Sequence, residues 1–588
     1  MWVNKLKLGR IAHCAAACIP SRRAAFAATV ALFAALGAQA TDWYVATNGV
    51  DTASGSESEP VATIKKALSL SSGGDTIHIA AGTYAIAEEI WIYSAKNNIS
   101  IVGEGETAAD VVIDGQGTYR AFVVKGATGI TFANFTIRNT TGTSASGILI
   151  GSNVATPTPI TTAGNNLFSN LVFRACTNSN TSTSSGLYQS GGALFAASGD
   201  TVDHCVFEDC SGGYAGGVVA DCSVGNVTFR SCEFRRCNSA ALRGRNNATD
   251  GTRRLVLEDC VFEDNPARAG LGGGVSATGC TFARNSATEG SDGGVWYCSA
   301  DAGTPYDFVG CTFSANTAAR GGVFSSNPDG ANSSPVLLFS NCTFRANAAD
   351  TSSAVSHPNR GSVTLYGCYF EGNTAGSGGY TVNAKYLSME RCAFIRNVSS
   401  GPCSCADLPA DSSAIDCRFE GNRTTDAFTG TSGSALRMTD NNTLVRNCLF
   451  LTNVNESAGG VAAAIYRTSK NTNPQTIEGS TFVGNSCRAS SSDYHAAGIG
   501  APQDAASYWC IVNCAFFDNK IGDDVRNLPR PTNNTNRERM RNACTNCFEN
   551  ATSTYALLAD GANGNIVNTS LTTADLFADY AAGDLMTS

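Results

Sequence analysis

The chain of 588 residues carries 40 basic and 49 acidic side chains, a formal charge of −9, and only 15% of its residues are charged. Gly, Ser, Thr, Ala and Asn are plentiful instead, which argues against a globular α/β enzyme built on amphipathic helices. The acidic balance excludes nucleic acid as a partner and disfavours anionic lipid and uncomplexed polyuronate, unless a local basic patch or bound calcium reverses the field.

The first element is a basic stretch (Lys5, Lys7, Arg10, Arg22, Arg23), followed by an apolar run over residues 24–37 and then Ala38-Gln39-Ala40. Residues 1–40 therefore read as a secretory signal peptide cleaved after Ala40. In Ser21-Arg22-Arg23-Ala24-Ala25-Phe26 the Phe falls one place late for a twin-arginine signal, so the general secretory route is preferred. The signal takes five of the 40 basic residues and no acids, leaving 35 positive and 49 negative side chains, a charge of −14. No other run of eighteen apolar residues occurs, so nothing in the mature chain spans a bilayer as a helix. A secreted or surface-associated monomer is expected.

Residues 41–140 read as an N-terminal cap and the first coils of a solenoid. Asp42–Val45 is an entry strand, and residues 62–70 give the one convincing helical pattern, a capping helix. Gly74–Ile79 with Gly82-Thr83-Tyr84 is the first coil. Ile99–Gly103, Val112–Gly115 and Ile130–Asn139 continue it.

From 141 to 550 a hexapeptide, Cys-x-Phe-x-x-Asn, organises the chain. Its cysteines are Cys205, Cys232, Cys260, Cys280, Cys311, Cys342, Cys368, Cys392, Cys417, Cys448 and Cys514, with Ser480 in one place. Two residues on come Phe207, Phe234, Phe262, Phe282, Phe313, Phe344, Phe370, Phe394, Phe419, Phe450, Phe482 and Phe516. A spacing of two puts Cys and Phe on one face of a strand, and the variable residue between them marks the other face as outward. Three residues further stand Asn265, Asn285, Asn316, Asn347, Asn373, Asn397, Asn422, Asn453, Asn485 and Asn519, where the strand must turn. Asn accepts left-handed backbone angles and its amide can bond one coil away, so a ladder is expected. In the earliest coils Cys176, Cys210 and Cys237 hold that slot. Paired glycines, such as Gly216-Gly217-Val218 and Gly293-Gly294-Val295, are expected to supply a positive-φ turn before the next strand.

Self-similarity at this period, with short strands and no helices, predicts an all-β fold: a single-stranded, right-handed parallel β-helix of roughly fourteen coils. At about 4.8 Å per coil that rod is on the order of 65 Å long. Residues 551–588 read as a terminal coil. Residues 576–585 look like final coils, and the expectation is that the sequence is clipped before a cap.

Two resemblances rest on these motifs. Residues 75–79 and Gly82-Thr83-Tyr84 resemble the entrance to pectate-lyase-like β-helix proteins. The Phe-x-x-Asn and Gly-Gly-Ala/Val repeats over 191–519 resemble chlamydial polymorphic membrane proteins, autotransported surface adhesins. That resemblance implies a passenger-like β-helix with a polysaccharide or host-surface ligand, although residues 520–588 lack the alternating strands of the membrane barrel that ends such proteins.

The pectate-lyase-like resemblance also implies polysaccharide chemistry, either calcium-assisted elimination or hydrolysis by clustered Asp. The matching strings are missing here, and Asp523-Asp524 is the lone Asp pair. Of the mature histidines, His204 follows Asp203, but adjacent strand residues face opposite ways, so the two are not expected to converge. His78, His357 and His495 are isolated.

The richest cluster is Arg235, Arg236, Arg243, Arg245, Arg253 and Arg254. It reads either as a groove for carboxylated or sulfated glycans or as a charge ladder, since Glu208-Asp209, Arg235-Arg236 and Glu263-Asp264 occupy one slot in successive coils. Arg243 and Arg245 lie outside that slot and are the better ligand candidates. Ladder thiols are expected to be reduced and buried, with Cys210 and Cys237 as the pair most open to oxidation. Cys544-Thr-Asn-Cys547 is expected to close a local disulfide rather than bind metal.

The resulting expectation is a secreted or cell-surface, adhesin-like or glycan-interacting protein without catalytic residues, metal or cofactor. Its alternative is a polysaccharide lyase or glycoside hydrolase, with calcium as cofactor if it is a lyase.

Overall fold

A computed structural model describes residues 40–151, 164–180, 191–245, 251–298, 305–326, 335–427, 430–468, 475–488, 494–501, 509–552, 554, 556–571, 577–579 and 584–587. The expected signal peptide, apart from Ala40, lies outside them. So do residues 181–190 and 428–429.

Three long parallel sheets form a right-handed solenoid. Sheet A runs from Asp42–Val45 to Cys544–Thr545, sheet B from Gly82–Ala85 to Ile566–Val567, and sheet C from Ile90–Tyr93 to Ile499–Gly500. One coil passes Leu194–Ala196 in C, Thr201–Asp203 in A and Val206–Glu208 in B, then returns to C at Val218–Asp221. Sheet B has eighteen successive rungs rather than about fourteen. The extra coils precede and follow the hexapeptides, where the marker residues are absent. Eighteen rungs span roughly 80 Å.

The hexapeptide sets the two bends around sheet B. A left-handed residue precedes each Cys (His204 φ 51°, Ser231 φ 48°, Asp259 φ 53°), and another follows each Phe by two (Asp209 φ 54°, Arg236 φ 50°, Asp264 φ 56°). The ladder asparagines are therefore not the left-handed residues; the position before each of them is. What Asn supplies is its amide. Asn373 donates from Nδ2 to Phe344 O at 3.0 Å and to Asn397 Oδ1 at 2.9 Å, while its own Oδ1 accepts from Asn347 N and Nδ2 at 3.0 Å each. The pattern repeats from Asn265 to Asn519 and passes on to Asn527. Every donor and acceptor of a fully buried amide is thus used. Cys176, Cys210 and Cys237 fill the same slot by donating their thiols to Ile137 O, Phe173 O and Phe207 O, the carbonyl position that Asn Nδ2 reaches in later coils.

Inward of this corner the phenylalanines stack from Phe173 to Phe516, with centroids 4.4–5.2 Å apart. The described cysteines are free thiols, nearly all buried, Cys210 and Cys237 among them. The neighbouring ladder thiol and burial push Cys368, Cys392 and Cys417 up to about 12, which leaves them protonated and unreactive.

The paired glycines supply the expected positive-φ turn in some coils and meet a different need in others. Gly293 and Gly321 do take positive φ, but Gly216 and Gly217 do not. A Cβ on Gly216 would lie 2.0 Å from Asn238 O, so close approach of coils excludes a side chain.

The capping helix α1, Ile64–Leu70, has Thr63 as N-cap accepting from Lys66 N, and it buries Ile64, Ala67 and Leu68. A second helix, α2 (Asn534–Asn542), was not legible: its mean polarity hides the single buried anchor, Met540. Within the expected terminal coil, Ile566–Val567 adds a parallel rung to sheet B, while residues 577–579 and 584–587 pair with each other antiparallel.

The Cys544–Cys547 disulfide is corrected too. Both are free thiols on different strands. Cys544 belongs to sheet A and donates to Met540 O, while Cys547 is the rung after Cys514 and donates to Ile511 O. Left-handed Asn546 (φ 52°) bends the chain between them. In that rung Glu549 occupies the Phe slot, fully buried, accepting from Leu557 N and Leu558 N at 3.1 Å each.

Candidate functional site

Carboxylate–guanidinium pairs between coils recur among the outward positions of sheets A and B. Arg230 meets Glu258 at 2.7 Å, Arg446 meets Glu478 at 3.0 Å, and Arg174 meets Glu208 at 2.8 Å. Sheet C differs. Its register carries one column through Trp91, Val123, Leu149, Phe195, Val219, Arg243, Leu271, Tyr297, Ser325, Ser356 and Asn383. Of these, Val123, Leu149, Phe195, Val219, Ser325 and Ser356 are buried and Trp91, Arg243, Leu271, Tyr297 and Asn383 are partly exposed. The pairing of Val382 with Ala406 sets Asp407 next, then Arg437 and Tyr466.

This geometry divides the arginine cluster among three surfaces. Arg235 and Arg236 stand outward on sheet B as ladder residues. Arg236 bonds Asp209 at 2.8 Å and Glu208 at 2.5 Å, and Arg235 bonds Glu233 at 2.7 Å with Glu263 at 3.9 Å. Arg254 reaches Asp307 on sheet A at 2.5 Å, and Arg253 is half-buried beside it in sequence. Arg243 and Arg245 belong to sheet C. The guanidinium of Arg243 lies 3.2 Å from the centroid of the Tyr214 ring, and burial lowers its pKa to about 10. Arg245 is buried, in register with buried Asp221.

Two further groups complete the face. Arg268 sits 5.3 Å over the Tyr297 ring, and its buried Nε has no partner among the described residues. Farther along, Tyr380, Asp407 and Arg437 come from three successive coils. Arg437 Nη1 donates to Tyr380 OH at 2.5 Å and lies 3.9 Å from Asp407, whose Oδ1 accepts from Thr439 Oγ1 at 2.9 Å. Burial pushes Asp407 up to about 6 and raises Tyr380 as well. The Nε of Arg437 is also buried and unpartnered. Orphaned buried guanidinium donors are unusual enough to call for an explanation, and a bound acceptor supplies one.

Sequence reasoning reached Arg243 and missed Arg268, Tyr297, Tyr380, Asp407 and Arg437. For Tyr297 the signal was present, two residues after Val295 of a Gly-Gly-Val signature. His204 also departs from expectation: Nδ1 lies 2.9 Å from Asp203 Oδ2, because its left-handed φ of 51° breaks strand alternation. His357 points inward beside Ser326, and burial lowers its pKa to about 4. Among the described residues no cluster suited to a metal ion occurs, and no helix is long and apolar enough to cross a membrane.

Residues 43–241 match a family model for a Pel9A-like right-handed β-helix region, and residues 293–489 match one for a right-handed β-helix region. On a chain whose coils repeat one path, these matches support the pectate-lyase-like superfamily of β-helix proteins. Comparison with curated proteins returns no match. Among solved structures, tailspike protein 3 of bacteriophage CBA120 is similar at 12% identity and a TM-score of 0.33, over 82% of this chain and 65% of that one. A mannuronic acid specific polysaccharide family 6 lyase from human gut microbiota is similar at 12% identity and a TM-score of 0.30, over 81% and 87%. A rhamnogalacturonan lyase is similar at 11% identity and a TM-score of 0.26, over 61% and 82%. Likeness at these values says nothing about substrate or reaction.

Proposed function

We propose that this chain is an exported, surface-exposed β-helix that holds an anionic polysaccharide along the outward face of sheet C, in the manner of an adhesin passenger rather than an enzyme. The observation that carries this reading is the contrast in how guanidiniums are used. On sheets A and B most guanidiniums pair with carboxylates, although Arg345 also lies over Tyr369 and Arg235 keeps a buried Nε. Along sheet C, by contrast, Arg243 and Arg268 lie over tyrosine rings and Arg437 bonds the Tyr380 hydroxyl with Asp407 at 3.9 Å, Arg268 and Arg437 each keeping a buried Nε with no partner among the described residues. In a mature chain of charge −14, such a stripe is where an anion can be held. Guanidinium forks match carboxylate and sulfate, and a tyrosine beside them offers an apolar face to a sugar ring.

The test is retention of the purified chain on immobilised polygalacturonate, alginate and heparin against a neutral glucan. Salt-sensitive retention on at least one anionic matrix, lost in an Arg243→Ala, Arg268→Ala double variant, is expected. Equal retention by the variant sinks the reading.

One observation favours a second reading, a polysaccharide lyase: Asp407 is a buried carboxyl raised towards neutrality beside Arg437 and Tyr380. Incubation with polyuronates and calcium, followed by absorbance of the unsaturated product, decides it. Steady turnover abolished by Asp407→Asn replaces the adhesin reading with this one.

A further inference from the structure

At the N-terminal end of sheet C lies a cavity of about 310 Å³, lined by Glu89, Trp91, Thr118, Arg120, Gly142 and Thr143 among others. It is five strand spacings, roughly 24 Å, from Arg243, so it is a separate site. Its volume is at the low end for small-molecule pockets, the size of a compact ligand rather than an extended one.

The cavity is built around a buried cation. Arg120 is only 5% exposed, its Nε donates to Ala145 O at 2.7 Å, and its Nη1 donates to Glu89 Oε1 at 3.0 Å. A Cβ at position 142 would come within 2.9 Å of Arg120 Nη2, so glycine there lets the guanidinium lie against the backbone. No partner for Nη2 appears among the described residues. The half-buried indole of Trp91 forms one wall, and it stacks with Tyr93 at 6.0 Å between centroids and 16° between planes, which widens the aromatic surface.

This combination selects a chemistry. Glu89 and Arg120 cancel each other's charge, so the cavity offers an anion little net attraction. It does offer the remaining Arg120 Nη donors, a carboxylate acceptor and three lining threonines, Thr118, Thr141 and Thr143, together with an aromatic wall. Adjacent hydroxyls of a sugar can take both a guanidinium donor and a carboxylate acceptor, while the apolar face of the ring stacks on an indole. We propose that this cavity is a subsite for one uncharged pyranose residue, seated on Trp91 and hydrogen-bonded to Glu89 and Arg120. The site does not depend on the anionic stripe around Arg243, and together they would suit a polysaccharide that alternates neutral and acidic residues.

The full chain is titrated with β-1,4-linked xylohexaose, cellohexaose and galactohexaose, and separately with hexagalacturonate, while intrinsic tryptophan fluorescence is followed. At least one neutral hexasaccharide is expected to change the emission, and Trp91→Ala, with its fold checked by circular dichroism, is expected to weaken that ligand about tenfold or more. Glu89→Gln, which keeps the packing, should weaken it severalfold and serves if Trp91→Ala does not fold. Absence of binding by all three neutral probes, or unchanged affinity in the folded variants, overturns the proposal. So does a response confined to hexagalacturonate that Trp91→Ala abolishes. Neutral binding that persists while hexagalacturonate fails to bind supports an uncharged subsite whatever anion the Arg243 stripe takes.

Discussion

Sheets B and C share the same coils and the same strand spacing, yet they are written in opposite ways. Sheet B repeats its inward residues almost without change and carries recurrent paired charges among its outward slots. Sheet C varies the outward residue at nearly every rung, from Val219 to Arg243 to Tyr297 to Asp407. Repetition on B satisfies neighbours that are copies of one another, as a solenoid requires. Variation on C leaves partly exposed side chains that differ along the axis, Arg243, Tyr297, Asp407 and Arg437 among them, and such positions can read a ligand. The difference teaches that in this chain the most conspicuous sequence pattern marks what function does not use.

The largest expected effect belongs to sheet B. Phe370 is fully buried, with stacked neighbours Phe344 and Phe394 at 4.4 and 4.5 Å. Phe370→Ala should cost about 3–5 kcal/mol in denaturant unfolding, because rigid neighbours above and below cannot collapse into the gap. An effect under about 1 kcal/mol would mean that the stack is not what holds the coils. Next comes Asn373→Ala, which strips Asn347 N and Nδ2 of their acceptor and Phe344 O of a donor. A loss of about 3 kcal/mol is expected, larger than the transfer of a buried amide side chain suggests, since the unsatisfied partners stay buried.

Glu549 breaks the B pattern and sharpens the comparison by pH. Burial raises its pKa from an ordinary value of 4.5 to about 7, with the bonds from Leu557 N and Leu558 N opposing. Between those values the folded chain keeps a proton that the unfolded chain has released, so the contribution of Glu549 to stability is full below about pH 4.5 and is lost as pH rises through 7. Glu549→Gln should match the wild type at pH 4.5 and exceed it by about 2 kcal/mol at pH 8. Buried Asp200, also pushed up to about 7, titrates in the same window, so the difference between variant and wild type is the quantity to measure.

Much of sheet B was legible because its constraints are local. A spacing of two fixes the facing of Cys and Phe, and a spacing of three more sets the amide at the bend. Which residue of the bend is left-handed was not legible, since Asn tolerates that region but the ladder geometry assigns it to the residue before. Sheet C resisted for a physical reason: its column is assembled across coils of unequal length, so Arg243, Tyr297 and Arg437 share no fixed separation in sequence. Tyr214, which takes the Arg243 guanidinium, comes from the preceding turn. The arginine cluster misled for the same reason, because proximity in sequence there spans all three sheets.

A smaller effect is expected on sheet C, and only on binding. Arg243→Ala should weaken an anionic oligosaccharide by about tenfold, equivalent to 1.4 kcal/mol, through loss of one charged contact. Its effect on unfolding should be slight, as burial already disfavours that charge. If unfolding shifts as much as for Asn373→Ala while binding does not, the contrast between a structural and a reading sheet fails.

The smallest effect tests the outward face of sheet B. Arg236 pairs with Glu208 and Asp209, and these bonds hold its pKa above the ordinary range, yet its side chain is 48% exposed. Solvent screens such pairs, so Arg236→Ala should lower stability by less than about 1 kcal/mol and leave anionic-glycan binding unchanged. The comparison with Arg243→Ala is the informative part. Both substitutions remove one positive charge from an acidic protein, so a general change in field would weaken binding equally. If binding falls only when the arginine comes from sheet C, position on the column rather than net charge is what the ligand recognises.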